Sequence, residues 1–154
     1  METPTLEDHR RRGFTLIEIM AVVLIIGLLS TLVGVAIFPQ IDKARVNAAR
    51  GQLKMLDAAL ETFRMDTARF PNSEQGLSAL IAPPPDVRNY QRGGYLRERR
   101  MPDDPWGNPY QYASPGQHNQ HAYDLWSWGA DGAPGGEGVD ADIGNWVGSD
   151  TVGS

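Results

Sequence analysis

Twenty consecutive residues, Ile19 to Phe38, carry no charge. Wound as a helix at about 1.5 Å per residue they reach roughly 30 Å, the thickness of a bilayer's hydrocarbon core. That run decides most of what the chain can be. A secretory signal has a shorter apolar region, about 7–15 residues, followed by a small-residue cleavage site. Here no Ala-x-Ala comes after the run, and the small residue, Gly13, precedes it. Arg10, Arg11 and Arg12 on the N-terminal side hold that end in the cytoplasm and send the chain beyond Phe38 to the far side, an N-in/C-out topology. Of the 154 residues, roughly 115 are left outside the leader and the span, enough for one soluble domain. A formal net charge of −5 leaves no basic stripe for nucleic acid. The chain has no cysteine, hence no disulfide, no thiolate zinc site and no cysteine nucleophile.

Glu18 is the anomaly at the mouth of the apolar run. A carboxylate near a helix centre costs about 2.5–3.5 kcal/mol on insertion scales, and such groups have a partner or a task. One reading lets Glu18 reach interfacial water. A second starts from Gly13: a cut after it makes Phe14 the new N-terminus and sets an ammonium four residues from Glu18, so that the two charges can neutralise one another. The stretch "GFTLIEIMAVVLIIGLL" resembles the class III leader of type IV pilins and pseudopilins. The resemblance implies cleavage between Gly13 and Phe14 by a prepilin peptidase and N-methylation of Phe14. It also implies that Glu18 pairs with the terminal amine of a neighbouring subunit during assembly.

Beyond the run, Val46, Leu53 and Leu60 recur at seven, as do Ala49, Leu56 and Phe63. The spacing predicts one apolar face on a helix continuing to about Thr67, packed against the chain's own later segments. Lys43, Arg45, Arg50, Lys54, Asp57, Glu61 and Arg64 fall off that face. Gly34 and Pro39 are candidate sites for a bend. Asn72 or Ser73 is placed to cap a short helix with Leu77, Leu80 and Ile81 on its apolar side and Pro83 to Pro85 as its stop. Asp86 to Met101 reads as loop. Strands are expected at Tyr110–Ala113 and Ala122–Trp128, joined by "SPGQHNQH" into an antiparallel hairpin.

Chemistry-bearing clusters are few. His118 and His121 have H-x-x-H spacing but no third ligand in sequence, and read as loop residues before zinc ligands. No nucleophile–base set can be assembled, so the chain is not expected to be an enzyme. The stretch "WGADGAPGGEGVDADIGNW" is different. It sets Asp131, Glu137, Asp140 and Asp142 among Gly129, Gly132, Gly135, Gly136 and Gly138. Oxygen ligands on a pliable loop suit calcium better than magnesium, which wants stricter octahedral geometry. The spacing is neither an EF-hand nor a repeated calcium nonapeptide. An acidic solvated loop is the competing reading, and residue types alone leave the two even.

"EQGLSAL", "DPWGNPYQY", "SPGQH", "WGADG" and "DADIGNW", in that order, resemble the major pseudopilins of type II secretion systems. The resemblance implies an α+β, type IV pilin-like fold, a long N-terminal helix packed on a small antiparallel β-sheet. It divides the chain into a leader (1–13), a membrane and filament-core helix (14–38), a periplasmic domain (39–147) and a tail (148–154). It implies a calcium ion held by Asp131, Asp142 and the carbonyl of Trp128; where some members have two adjacent aspartates this chain reads Ala141-Asp142, and Asp140 is taken as the substitute ligand. As a function it implies a homopolymeric filament subunit in the inner membrane. The implied partners are minor pseudopilins, the inner-membrane secretion platform and the prepilin peptidase. A type IV pilin for adhesion or motility, and a monomeric membrane-anchored calcium-binding module, are the competing functions.

Overall fold

The computed structural model describes residues 13–146, the side chains of 32–38 excepted. The expected leader up to Arg12 and the expected tail from Val147 lie outside the described residues. Helix α1 runs Leu16–Thr67, 52 residues, and passes through Pro39. It is helical at both Gly34 and Pro39. The chain divides into two compact units, residues 1–39 and 40–154.

In the first unit every described side chain from Gly13 to Thr31 is exposed. Phe14, Leu16 and Leu24 stand among the most exposed apolar residues of the chain. The segment has no core of its own, because its apolar groups point in all directions round the helix. Among the described residues no helix is long and apolar enough to cross a membrane. The predicted span Ile19–Phe38 includes residues 32–38, whose side chains are not among those described.

The second unit holds the core. Val46, Ala49, Leu53, Leu56, Leu60 and Phe63, the expected stripe, are all buried. Lys43, Arg45, Lys54 and Arg64 are exposed, while Arg50, Asp57 and Glu61 are half-buried at the margins. Thr67 ends the helix, with Ala68 at φ 64° turning the chain away. The predicted short helix is a 3₁₀ turn, Gly76–Leu80. Asn72 Oδ1 accepts from Gln75 N at 2.7 Å and Gln75 Oε1 accepts from Asn72 N at 3.1 Å, so Asn72 organises the turn before that helix. Leu77, Ala79 and Leu80 are buried beside Phe63. The loop from Asp86 to Met101 is irregular, as expected. It still delivers Leu96 to the core and stacks Tyr90 and Tyr95 edge-on around Phe63, with centroids at 6.3 and 5.3 Å.

Strands β1 (Gln111–Ala113) and β2 (Asp124–Ser127) form the expected hairpin, each shorter than predicted. Their register pairs Tyr112 with Leu125. A third strand, β3 (Ile143–Gly144), was not predicted; it pairs antiparallel with β2, giving the order β1-β2-β3. Alternation along β2 puts Leu125 and Ser127 on one face and Asp124 and Trp126 on the other. Leu125 joins the core with Ile143. Two phenols tie the sheet to α1: Tyr110 donates to Gln52 Oε1 at 2.6 Å and Tyr123 to Asp57 Oδ1 at 2.5 Å.

Candidate functional site

Gly13 and Phe14 precede α1, and both are exposed. A Cβ built on Gly13 meets nothing within 4 Å. The chain's own fold therefore gives no reason for a glycine there.

Glu18 is engaged at the helix start. Its Oε2 accepts from Thr15 N at 2.8 Å and from Thr15 Oγ1 at 2.9 Å, while Glu18 N donates back to Thr15 Oγ1 at 3.3 Å. This is a capping box, with Thr15 as N-cap and Glu18 as the third helical residue. Free N–H groups at a helix start favour a carboxylate. The sequence reading missed Thr15, although the spacing T-x-x-E was there to be seen.

The C-terminal loop leaves β2 and returns as β3. Its start is shaped by Gly129, at φ 71°, where a Cβ would sit 2.7 Å from the carbonyl oxygen of Asp140. Both the dihedral and the close approach call for glycine. Asn108 Nδ2 donates to Gly129 O at 3.1 Å, pinning the loop to the turn before β1. Ala130 N reaches Val139 O at 2.9 Å and Asp142 N reaches Gly135 O at 3.2 Å, so the loop closes on its own backbone. Asp131 Oδ1 accepts from Ala133 N and Asp142 Oδ2 from Gly135 N, each at 3.0 Å. Asp142 Oδ1 is buried with no partner. Asp131 and Glu137 are exposed; Asp140, Asp142 and Trp128 are half-buried. Among the described residues no three carboxylate or imidazole side chains converge as a metal cluster.

Behind this loop lies a group the sequence reading passed over. Asp124 is 2% exposed, yet its carboxylate gathers the hairpin loop around it. Its Oδ2 accepts from Gln117 N at 2.7 Å and His118 N at 2.8 Å, and Oδ1 from Asn119 N at 2.9 Å. The His118 ring nitrogen Nδ1 lies 3.2 Å from Oδ2. Burial works to raise this pKa, but the backbone N–H groups of His118, Asn119 and Gln117 with the His118 ring outweigh it and hold the carboxyl below its usual value. Gly116 makes room for the arrangement: a Cβ there would lie 2.5 Å from the carboxylate. His118 stacks on Trp146, with centroids 4.1 Å apart and planes at 9°, while His121 is exposed at the loop's end.

Comparison with known proteins places these features in a family. The profile of "Type II secretion system (T2SS), protein G" matches residues 36–146, and that of the prokaryotic N-terminal methylation motif matches residues 8–37. The type II secretion system core protein G of Pseudomonas aeruginosa is 45% identical over 144 residues, covering 92% of this chain and 99% of that one. The protein of the same name from Vibrio cholerae is 44% identical over 140 residues, covering 90% and 93%. Among solved structures, the major pseudopilin from the type 2 secretion system of enterohaemorrhagic Escherichia coli matches with a TM-score of 0.60 and 43% identity, over 70% of this chain and 90% of that one. The helix and three-stranded antiparallel sheet are thus the type IV pilin-like α+β fold. The chain belongs to the type II secretion system protein G family.

Proposed function

We propose that the chain is the major structural subunit of a type II secretion pseudopilus, anchored in the inner membrane and polymerising in the periplasm to move folded proteins across the outer membrane. The observation that carries this is the division of the apolar residues. Among the described residues, all those buried in the core lie at Val46 or beyond, while the apolar residues from Phe14 to Leu29 are exposed. Such a segment suits lipid before assembly and like helices after it. Cleavage by a prepilin peptidase between Gly13 and Phe14, with methylation of Phe14, matures the subunit. Arg10 to Arg12 keep the N-terminus cytoplasmic. Glu18 then meets the terminal amine of a neighbouring copy, and minor pseudopilins and the inner-membrane platform complete the assembly. An in-frame deletion should abolish export of enzymes to the medium and be restored by the wild-type gene. Intact export with lost surface adhesion or motility would turn the reading to a type IV pilin.

For the C-terminal loop we infer one calcium ion, held by Asp131, Asp140, Asp142 and the carbonyl of Trp128. The supporting observation is Asp142 Oδ1, a buried carboxylate oxygen without a partner, since such an atom calls for a cation or a donor. The side-chain ligands the loop offers are carboxylate oxygens, hard donors of the kind calcium takes. The three carboxylates are not gathered in one cluster, so binding would draw Asp131 in from solvent. The domain from Gln40 should melt higher in calcium than in chelator, with the difference lost in Asp131→Ala and Asp142→Ala. Equal melting in both conditions, with no heat of calcium binding, would remove the ion from this reading.

A further inference from the structure

The turn before β1 holds a second buried carboxylate, and its bonds lead to the start of the C-terminal loop. Asp104 is 4% exposed and Ser127, in β2, is fully buried. Ser127 Oγ donates to Asp104 Oδ2 at 2.5 Å and accepts from Gly129 N at 3.1 Å. Asp104 Oδ1 accepts from Trp106 N at 3.0 Å and from Asn108 N at 2.8 Å. Asn108 Nδ2 in turn donates to Gly129 O. Asp104 thus governs both ends of Gly129, through Ser127 at the N–H and through Asn108 at the carbonyl. The Asn108 side chain also bounds Gly132, where a Cβ would lie 3.1 Å from its Oδ1. The turn therefore touches the loop on both sides of Asp131.

We propose that Asp104, Ser127 and Asn108 are positioning residues for the calcium ion, fixing the direction of the Trp128 carbonyl and the path of the chain into Asp131. The inference rests on the calcium reading of the C-terminal loop and adds to it three residues that do not touch the ion. The Trp128 carbonyl and the Gly129 N–H belong to one peptide group, which is trans. Such a group is planar, with its C=O and N–H pointing opposite ways. With the Gly129 N–H given to Ser127 Oγ, the Trp128 oxygen must point away from that hydroxyl. The hydroxyl is itself set by Asp104. A serine hydroxyl both donates and accepts, whereas a carboxylate only accepts, so Asp104 takes the proton and leaves a Ser127 lone pair for Gly129. An apolar residue at Ser127 could not pass that direction on. Filling space does not call for the pair either. Ser127 shares its face of β2 with Leu125, which lies in the core, and an apolar side chain there would bury no hydroxyl. A ligand oxygen already held in direction lowers the entropy lost when an ion orders the loop.

The test titrates the full chain in detergent micelles with calcium by calorimetry, and melts it in calcium and in chelator. Ser127→Ala removes the acceptor of the Gly129 N–H. Asp104→Asn keeps an oxygen for the N–H groups of the turn but sets an amide donor against the hydroxyl. Each should weaken calcium binding about tenfold, the lower end of what groups behind a metal's ligands contribute. Ser127→Thr keeps the hydroxyl while crowding a buried site with a methyl, so it should melt lower in chelator yet bind calcium as the wild type does. Asn108→Ala leaves both buried groups intact, frees only Gly129 O and should weaken calcium about fivefold, one hydrogen bond's worth. It carries the test if the buried variants fail to fold. A pair that merely supports the fold would lower melting alike with and without calcium and leave the affinity of the folded chain unchanged. Calcium binding by the wild type that Ser127→Ala, Asp104→Asn and Asn108→Ala leave unchanged overturns the inference and spares the ion. Affinity that falls in step with melting in chelator, Ser127→Thr included, overturns it as well. No heat of calcium binding in the wild type removes the ion and the inference together.

Discussion

At the scale of single residues, Asp124 shows how a buried charge can hold a loop in place. Three backbone N–H groups of the hairpin loop end on its carboxylate. Removing the acceptor leaves them without partners, at about 1–3 kcal/mol for each that stays buried. Asp124→Ala is expected to lose about 3 kcal/mol in urea unfolding, since the loop can relax toward water. The depressed pKa sets the pH dependence. Its stabilisation is complete above the unfolded carboxyl's 3.8 and is lost as pH falls through the lower folded value. Acid unfolding below about pH 4 should therefore be shallower in Asp124→Asn than in the wild type. Gly13 is the opposite case: among the described residues nothing lies within 4 Å of a Cβ built on it. Gly13→Leu should leave the fold untouched and the precursor uncut, and mass spectrometry of membrane fractions would read the retained leader.

At the scale of elements, the start of α1 allows capping and charge to be separated. Glutamine serves as well as glutamate at the third position of a capping box. Glu18→Gln should keep the helix start and still assemble poorly if the terminal amine needs a carboxylate. Thr15→Ala should cost about 1 kcal/mol at the cap while keeping the charge. Filament yield in the two variants distinguishes these roles, and equal yield in both would detach Glu18 from assembly. A second element is testable in alkali. Tyr112 in β1 donates to Pro71 O at 2.8 Å, and burial pushes its phenol up to about 12. Its contribution should hold below pH 10 and fade as pH rises toward 12, a limb that Tyr112→Phe flattens. The sequence made the long helix legible, because Val46 to Phe63 repeat at seven and every one is buried. The hairpin was legible too, from its aromatic strands and the turn formers between them. β3 was not: two residues, Ile143 and Gly144, carry no alternation, and what holds them is pairing with Trp126 and Ser127. The partners of Asp124 were equally hidden, since backbone N–H groups leave no mark in a sequence. Asp131, Asp140 and Asp142 were picked out by residue type and by the family resemblance, which say nothing of whether their oxygens meet in this chain.

At the scale of the whole molecule, the described core lies in the unit from Gln40. Leu56 and Phe63 are fully buried among Leu60, Leu80 and Leu125. Leu56→Ala should cost about 2–5 kcal/mol, read by thermal or urea unfolding of the chain from Gln40. Deleting everything up to Pro39 should leave the melting temperature nearly unchanged, because among the described residues no buried apolar residue precedes Val46. The uncovered apolar rod from Phe14 to Leu29 has a further consequence. Lipid tails and neighbouring apolar helices are equally good solvents for it, so moving from one to the other releases little hydrophobic free energy. Growth and retraction of a polymer built on such rods then lie close to balance. Direction is left to the few polar contacts at the helix start and to whatever machinery does work on the subunit. On the function proposed, a filament of this kind would run both ways through one intermediate, the lipid-dissolved monomer, with its rods kept from water throughout.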